Sequence, residues 1–139
     1  MKIKLAKSDE EILACFDVAV QLRTSYNKES FLLQVKKQMQ DNYQLVYLKD
    51  NVQVCALAGF RISENLAWGK FLYIDDLVTS TDQRSKGYGK SLLDWLIQRA
   101  KTEQCQQLEL DSGVQRKDAH RFYLREKMLN TSLHFSITL

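Results

Sequence analysis

The chain has 139 residues, with 20 Lys+Arg against 17 Asp+Glu, a net charge of +3 and an apolar fraction of 45%. That balance excludes an intrinsically disordered chain, and no apolar run approaches the roughly 18 residues that span a bilayer. A charge of +3 is also too small to mark a nucleic-acid surface by itself.

A domain typically takes roughly 100–200 residues, so one domain over 1–139 is expected. The opening residues 1–11 mix three Lys with three acids and lack a signal-peptide apolar block. Cys15, Cys55 and Cys105 stand far apart and outside any Cys-x-x-Cys pair. They read as reduced core residues of a cytoplasmic protein, neither a disulfide framework nor a zinc site.

The chain contains no Pro, so its breaks are read from Gly, Asn, Asp and Ser. A short strand is predicted over 2–6. Ser8 with Glu11 makes a capping-box pattern that opens a helix bearing Ile12, Leu13, Phe16, Ala19 and Val20 on one face. A second helix over about 28–39 carries Phe31, Leu32, Val35 and Met39. Strands over 43–48 and 52–62 are joined at Asp50-Asn51, a favourable hairpin pair. In the second strand Val52, Val54, Ala56, Ala58, Phe60 and Ile62 share a face. A largely apolar strand over 71–79 is interrupted by Asp75 and Asp76. A helix over about 89–101 follows, with Leu92, Leu93, Leu96, Ile97 and Ala100 on one side. Next come a strand over 107–111, a helix over 115–127 and an alternating terminal strand bearing Leu133, Phe135, Ile137 and Leu139. This order implies an α/β protein, a mixed sheet with helices on both faces, and a parallel crossover from 71 to 111.

Residues Arg84-Ser85-Lys86-Gly87-Tyr88-Gly89-Lys90 lie between a strand and a strong helix. The first turn of a helix leaves its N–H groups without intrahelical partners, and its dipole makes that end electropositive. Two Gly let the backbone approach a phosphate closely, and Arg84, Lys86 and Lys90 add charge. A Walker A loop would need Gly where Arg84 stands. The dinucleotide pattern Gly-x-Gly-x-x-Gly fails at Leu92. What remains is Arg-x-x-Gly-x-Gly after a strand, either a phosphate cradle or a Gly-rich turn capping a helix.

Tyr73-Ile74-Asp75-Asp76-Leu77-Val78-Thr79, followed by residues 84–93, resembles the acetyl-CoA-binding segment of the GNAT superfamily of N-acyltransferases. Ala119-His120-Arg121-Phe122-Tyr123 is similar to that family's Ala-x-x-Phe-Tyr helix, and the predicted element order matches over essentially the whole chain. Thr81 and Ser85 stand where the family often has Pro and Gly. Arg116 replaces a frequent Asn contact, which is not carried over, and Lys127-Met128 replaces Gly-Phe.

The resemblance implies acetyl transfer from acetyl-CoA, without a metal, to an amine on a small molecule or peptide. An amine of pKa about 10.4 is neutral in only about one molecule in 2,500 at pH 7, a penalty of about 4.6 kcal/mol, so a base is needed. Asp75, nine residues before Arg84 as in some family members, is the favoured base or ammonium anchor, with Asp76 as the alternative. As neighbours in a strand the two acids should point to opposite faces, and each should reach a cation, a backbone donor or water.

Tyr123 matches the family's Tyr and is expected to donate a proton to the departing thiolate. By resemblance, the backbone of Leu77, Val78 and Thr79 pairs with the pantetheine arm, while the N–H groups of Ser85, Lys86, Gly87, Tyr88, Gly89 and Lys90 hold the pyrophosphate beside Arg84. Arg23 and Tyr26, in the segment that often shapes the acceptor pocket, are candidate substrate contacts.

Direct attack in a ternary complex is expected. The leading rival is an acyl-CoA-binding sensor without turnover. Lys117, Arg121 and Arg125, at steps of four on the last helix, make a solvated basic face or meet a CoA phosphate; a third reading is a nucleic-acid partner using that basic helix. The terminal strand could pair within the chain or across a homodimer.

Overall fold

The structure is a computed structural model that describes residues 1–139. Its elements in chain order are β1 (Lys2–Leu5), α1 (Asp9–Ala14), α2 (Phe16–Ala19), α3 (Lys28–Met39), β2 (Tyr43–Asp50), β3 (Gln53–Asn65), β4 (Gly69–Thr79), α4 (Tyr88–Thr102), β5 (Gln107–Leu110) and α5 (Lys117–Arg125). A single 3-10 turn, Thr81–Gln83, separates β4 from α4. The strands form a mixed sheet in the order β1-β2-β3-β4-β5, with β1 to β4 joined antiparallel. The chain divides into two units, Met1–Glu109 and Leu110–Leu139.

In the first unit the predicted capping box is present: the Glu11 amide donates to Ser8 Oγ, and the Ser8 amide donates to the Glu11 carboxylate. The backbone N–H groups of Lys7 and Ser8, both donating to the Glu11 carboxylate, hold that carboxyl down at about 2. The helix it opens is not continuous. Cys15 ends α1 and begins α2, which turns Val18 into the core beside Ile12, Cys15 and Ala19. The α3 helix has the predicted bounds, capped by Asn27 accepting from the Ser30 amide, and buries Phe31 and Val35.

The hairpin turn falls one residue later than expected. Asp50 still pairs with Gln53, so the loop is Asn51-Val52, with Asn51 at φ 56°. A bulge also changes the face pattern of β3. Leu48 pairs with Ala56 and Lys49 with Val54, leaving Cys55 as the extra residue. Val54 therefore joins Leu57 in the core under α1–α3 and does not share a face with Ala56, Ala58 and Phe60. On the opposite face α4 buries Leu92, Leu93, Leu96 and Ala100, and Trp95 packs edge-on to Phe60.

In the second unit α5 is shorter than predicted, and Lys127 leaves it at φ 68°, with the Met128 amide donating to the Tyr123 carbonyl. His120 lies 2.7 Å from the Gly113 carbonyl oxygen. The predicted terminal strand is absent: residues 128–139 have no regular structure, and Leu133, Phe135, Ile137 and Leu139 are exposed. Alternation makes a strand only where a hydrogen-bonding neighbour and a face to bury exist, and this segment lacks both. No helix is long and apolar enough to cross a membrane.

One glycine fixes a close approach that the site depends on. Gly59 on β3 sits beneath the Tyr43 ring, and a Cβ built there would lie 1.9 Å from the Tyr43 hydroxyl. Overpacking of this kind costs about 1–3 kcal/mol. Gly59→Ala is expected to lose about that much in urea unfolding, and far less in a Tyr43→Ala background, where the obstructing ring is gone.

Candidate functional site

A second bulge builds the site. Gly59 of β3 pairs with Asp76 and Phe60 with Ile74, so Asp75 is an extra residue in β4. In a regular strand Asp75 and Asp76 would face opposite sides, as the sequence suggested. The inserted residue breaks that alternation, and both acids line one cavity of about 310 Å³. Arg23, Tyr26, Tyr43 and Tyr73 line the same cavity. The candidate acceptor contacts Arg23 and Tyr26 thus meet both candidate acids, all within the first unit.

Each carboxylate has its own arginine. Arg61 Nε donates to Asp75 Oδ2 at 2.9 Å, and Arg23 Nε donates to Asp76 Oδ1 at 2.7 Å. Arg23 also donates to the Asp75 carbonyl oxygen, and the Tyr43 hydroxyl donates to Asp76 Oδ2 at 2.9 Å. Both oxygens of Asp76 are therefore engaged, whereas Asp75 uses only Oδ2. Burial raises the Asp75 carboxyl above its ordinary value, against the pull of the Arg61 bond and charge. Burial, reinforced by the Asp76 charge and its bond, pushes the Tyr43 phenol well above its ordinary range.

β4 continues from these acids into the loop. Leu77, Val78 and Thr79 pair on one side with Ala58, Leu57 and Ala56. On the other side the Gln106 amide donates to the Lys70 carbonyl, and the four residues of β5 are too few to reach Leu77 from there. The strand end is clamped. Ser80, which is buried, donates from its amide to the Cys55 carbonyl, and Gln21 bonds both Ser80 Oγ and the Thr81 amide.

The loop then turns through two left-handed residues, Ser85 at φ 67° and Gly87 at φ 80°. Gly87 is the N-cap of α4 and no side chain caps that helix. The first helical bond runs from the Ser91 amide to the Gly87 carbonyl, so the N–H groups of Tyr88 and Gly89 have no intrahelical partner. Nothing stands within 4 Å of where a Gly87 Cβ would be, and Arg84 and Lys86 are exposed beside it. Open space, unpartnered amides and cations fit a phosphate group. The Tyr88 hydroxyl turns away from this role and donates to Asp50 Oδ2; that bond, with burial, raises its pKa to about 12.

Tyr123 lies on α5 in the second unit, with its ring 5.6 Å from that of Phe122. Burial raises its hydroxyl above the ordinary phenol value, against the nearby Arg116 charge. Cys15 and Cys55 are buried, and burial pushes the Cys15 thiol up to about 12. Cys105 is partly exposed, and its thiol is also raised by burial.

Sequence reasoning missed Arg61, Tyr43 and Gln21. Arg61 left a trace, because a charged residue in phase with inward-facing Leu57 and Gly59 asks for a buried partner.

Residues 9–128 match the acetyltransferase (GNAT) family. The chain belongs to that family. It is an N-acetyltransferase, and the family uses acetyl-CoA. An uncharacterized N-acetyltransferase, YhdJ of Bacillus subtilis (strain 168), is 38% identical over 122 residues, 87% of this chain and 86% of that protein. An aminoalkylphosphonate N-acetyltransferase of Salmonella typhimurium is 35% identical over 66 residues, and this match spans 48% of the chain and 43% of that protein. Among solved structures, the ribosomal-protein-alanine N-acetyltransferase of Brucella melitensis superposes with a TM-score of 0.85 over 100% of both chains at 13% identity, a likeness of fold alone.

In this GNAT acetyltransferase the raised Asp75 pKa has a definite sign. A carboxyl raised on folding binds its proton more tightly in the folded state. Its stabilising contribution is full below the ordinary value of about 4 and is lost as pH rises through the raised folded value. In urea unfolding measured along pH, the wild type should lose stability relative to Asp75→Asn across that window. Parallel curves would show that Asp75 titrates normally.

Proposed function

We propose that acetyl transfer proceeds by direct attack of an amine held in the β4 cavity, with Asp75 as base, the α4 N-terminus as diphosphate site and Tyr123 as proton donor. The observation that carries this reading is the continuity of β4. One strand lines the cavity with Asp75 and Asp76 and ends in the clamp that presents the uncapped α4 amides.

Acetyl-CoA, when bound, supplies an acetyl thioester and a thiolate leaving group. The amides of Tyr88 and Gly89, with Arg84 and Lys86, hold its diphosphate, and the outer backbone of Leu77, Val78 and Thr79 offers strand-like pairing to its arm. Asp75 Oδ1 accepts the ammonium proton of the acceptor, leaving the nitrogen lone pair free. Asp76 is the weaker candidate because Arg23 and Tyr43 already occupy its oxygens. The raised Asp75 pKa brings the carboxylate closer to the amine it must deprotonate, which narrows the proton-transfer gap. The Tyr123 hydroxyl, a phenol with pKa raised from about 10, donates its proton to the thiolate sulfur. A covalent acyl-cysteine route finds little support, since Cys15 and Cys55 are buried and the Cys15 and Cys105 thiols are both raised.

The test is release of free CoA thiol from acetyl-CoA across a panel of amines, paired with calorimetry of acetyl-CoA binding. Tyr123→Phe should lower turnover by about 10²–10⁴-fold, the usual range for a lost general acid, while acetyl-CoA affinity stays within about threefold. Equal turnover in the variant removes Tyr123 from the chemistry, and absence of acetyl-CoA binding to the wild type removes the diphosphate site.

A further inference from the structure

The charge arrangement of the cavity says what kind of amine it takes. Two carboxylates at the cavity each face one guanidinium group, Arg61 to Asp75 and Arg23 to Asp76, so these four charges balance; Arg61 also reaches Asp41, whose carboxylate is 94% exposed outside the cavity and screened by water. Within the cavity a polycation finds no surplus negative charge. A simple alkylammonium adds a positive charge to a partly buried site that is already balanced.

Arg23 is the member with capacity to spare. A guanidinium carries five N–H donors, and Arg23 places one on Asp76 Oδ1 and one on the Asp75 carbonyl oxygen. Its side chain is 52% exposed and lines the cavity, whereas that of Arg61 is 28% exposed and does not. The unused donors form a planar edge suited to two oxygens of one anion.

We propose that the acceptor is a compact zwitterion, a primary amine bearing its own carboxylate or phosphonate. The ammonium meets Asp75 Oδ1 and the anionic group meets the free edge of Arg23. This rests on the acetyl-transfer reading given above. Such a molecule enters without changing the net charge of the site, because each of its charges finds an opposite partner. Size agrees, since about 310 Å³ lies at the small end of ligand sites, roughly 300–1,000 Å³. So does spacing. Arg23 bonds the backbone carbonyl of the same residue whose carboxylate takes the proton, so the two recognition points lie within the reach of an amino acid a few bonds long.

The experiment compares kcat/KM, by thiol release from acetyl-CoA, for matched acceptors: β-alanine, aminoethylphosphonate, β-alanine amide, propylamine and a diaminoalkane. The expected result is a preference of about tenfold or more for one or both zwitterions over the amide and the alkylamine, as a charge-assisted hydrogen bond would give. Which zwitterion leads separates carboxylate from phosphonate as the source of the anion. In Arg23→Gln the ratio of zwitterion to amide should fall about tenfold, mainly through KM, with Arg23→Lys in between.

An equal loss for zwitterion and amide in Arg23→Gln overturns the assignment. If that variant does not fold, the wild-type ranking decides. A protein that favours the diaminoalkane or the amide remains an acetyltransferase and overturns this inference. One that binds acetyl-CoA and acetylates none of these amines, nor any in the wider panel, overturns both readings.

Discussion

A single inserted residue in β4 brings two adjacent carboxylates of this protein into one cavity. Without the bulge at Asp75, strand alternation would send one of two adjacent carboxylates into the layer beneath α4, among Phe60, Leu72 and Ile74, all buried. There it would carry the cost of an unpaired charge. With the bulge, Asp75 and Asp76 share one polar cavity while Ile74 and Leu72 keep their places in the core. The apolar register on either side of the acids is thus satisfied at the same time as the site.

Two acids so close together repel, and the surrounding residues answer that in different ways. Asp76 is saturated by Arg23 and Tyr43, which fix it as a charge that organises its neighbours. Asp75 has one guanidinium and one uncommitted oxygen. Gly59 permits this division, because only a residue without a side chain lets the Tyr43 ring cross the sheet to reach Asp76. Networks of this kind contribute little net stability, since desolvation offsets most of the attraction. Their effect here is positional: they fix both carboxylates on the strand that leads on to the α4 loop.

Much of this was legible in the residues. The α3 bounds, the Ser8–Glu11 box and the Gly-rich turn that opens α4 follow from local spacing and side-chain chemistry, which act within a few residues. The joint motif of residues 73–93 and 119–123 carried the family, and the family match over 9–128 agrees with it. The bulges were not legible. Whether Cys55 or Asp75 is skipped depends on which residue the neighbouring strand places opposite, and that partner is distant in sequence. For the same reason Tyr43 and Arg61 were missed as partners of the acids. The terminal alternation of Leu133, Phe135, Ile137 and Leu139 makes no strand within the chain, because period-two spacing describes a strand only when a neighbour is present.

The shared cavity of the two acids is tested most directly by carboxyl-carbon NMR titration of Asp75 in the wild type and in Asp76→Asn. Carboxylates on one face feel each other across a short, partly buried path, and the Asp76 charge raises the Asp75 carboxyl. The expected result is a downward move of the Asp75 midpoint when the neighbouring charge is removed. An unmoved midpoint would place the two side chains on opposite faces of a regular strand and contradict the bulged geometry.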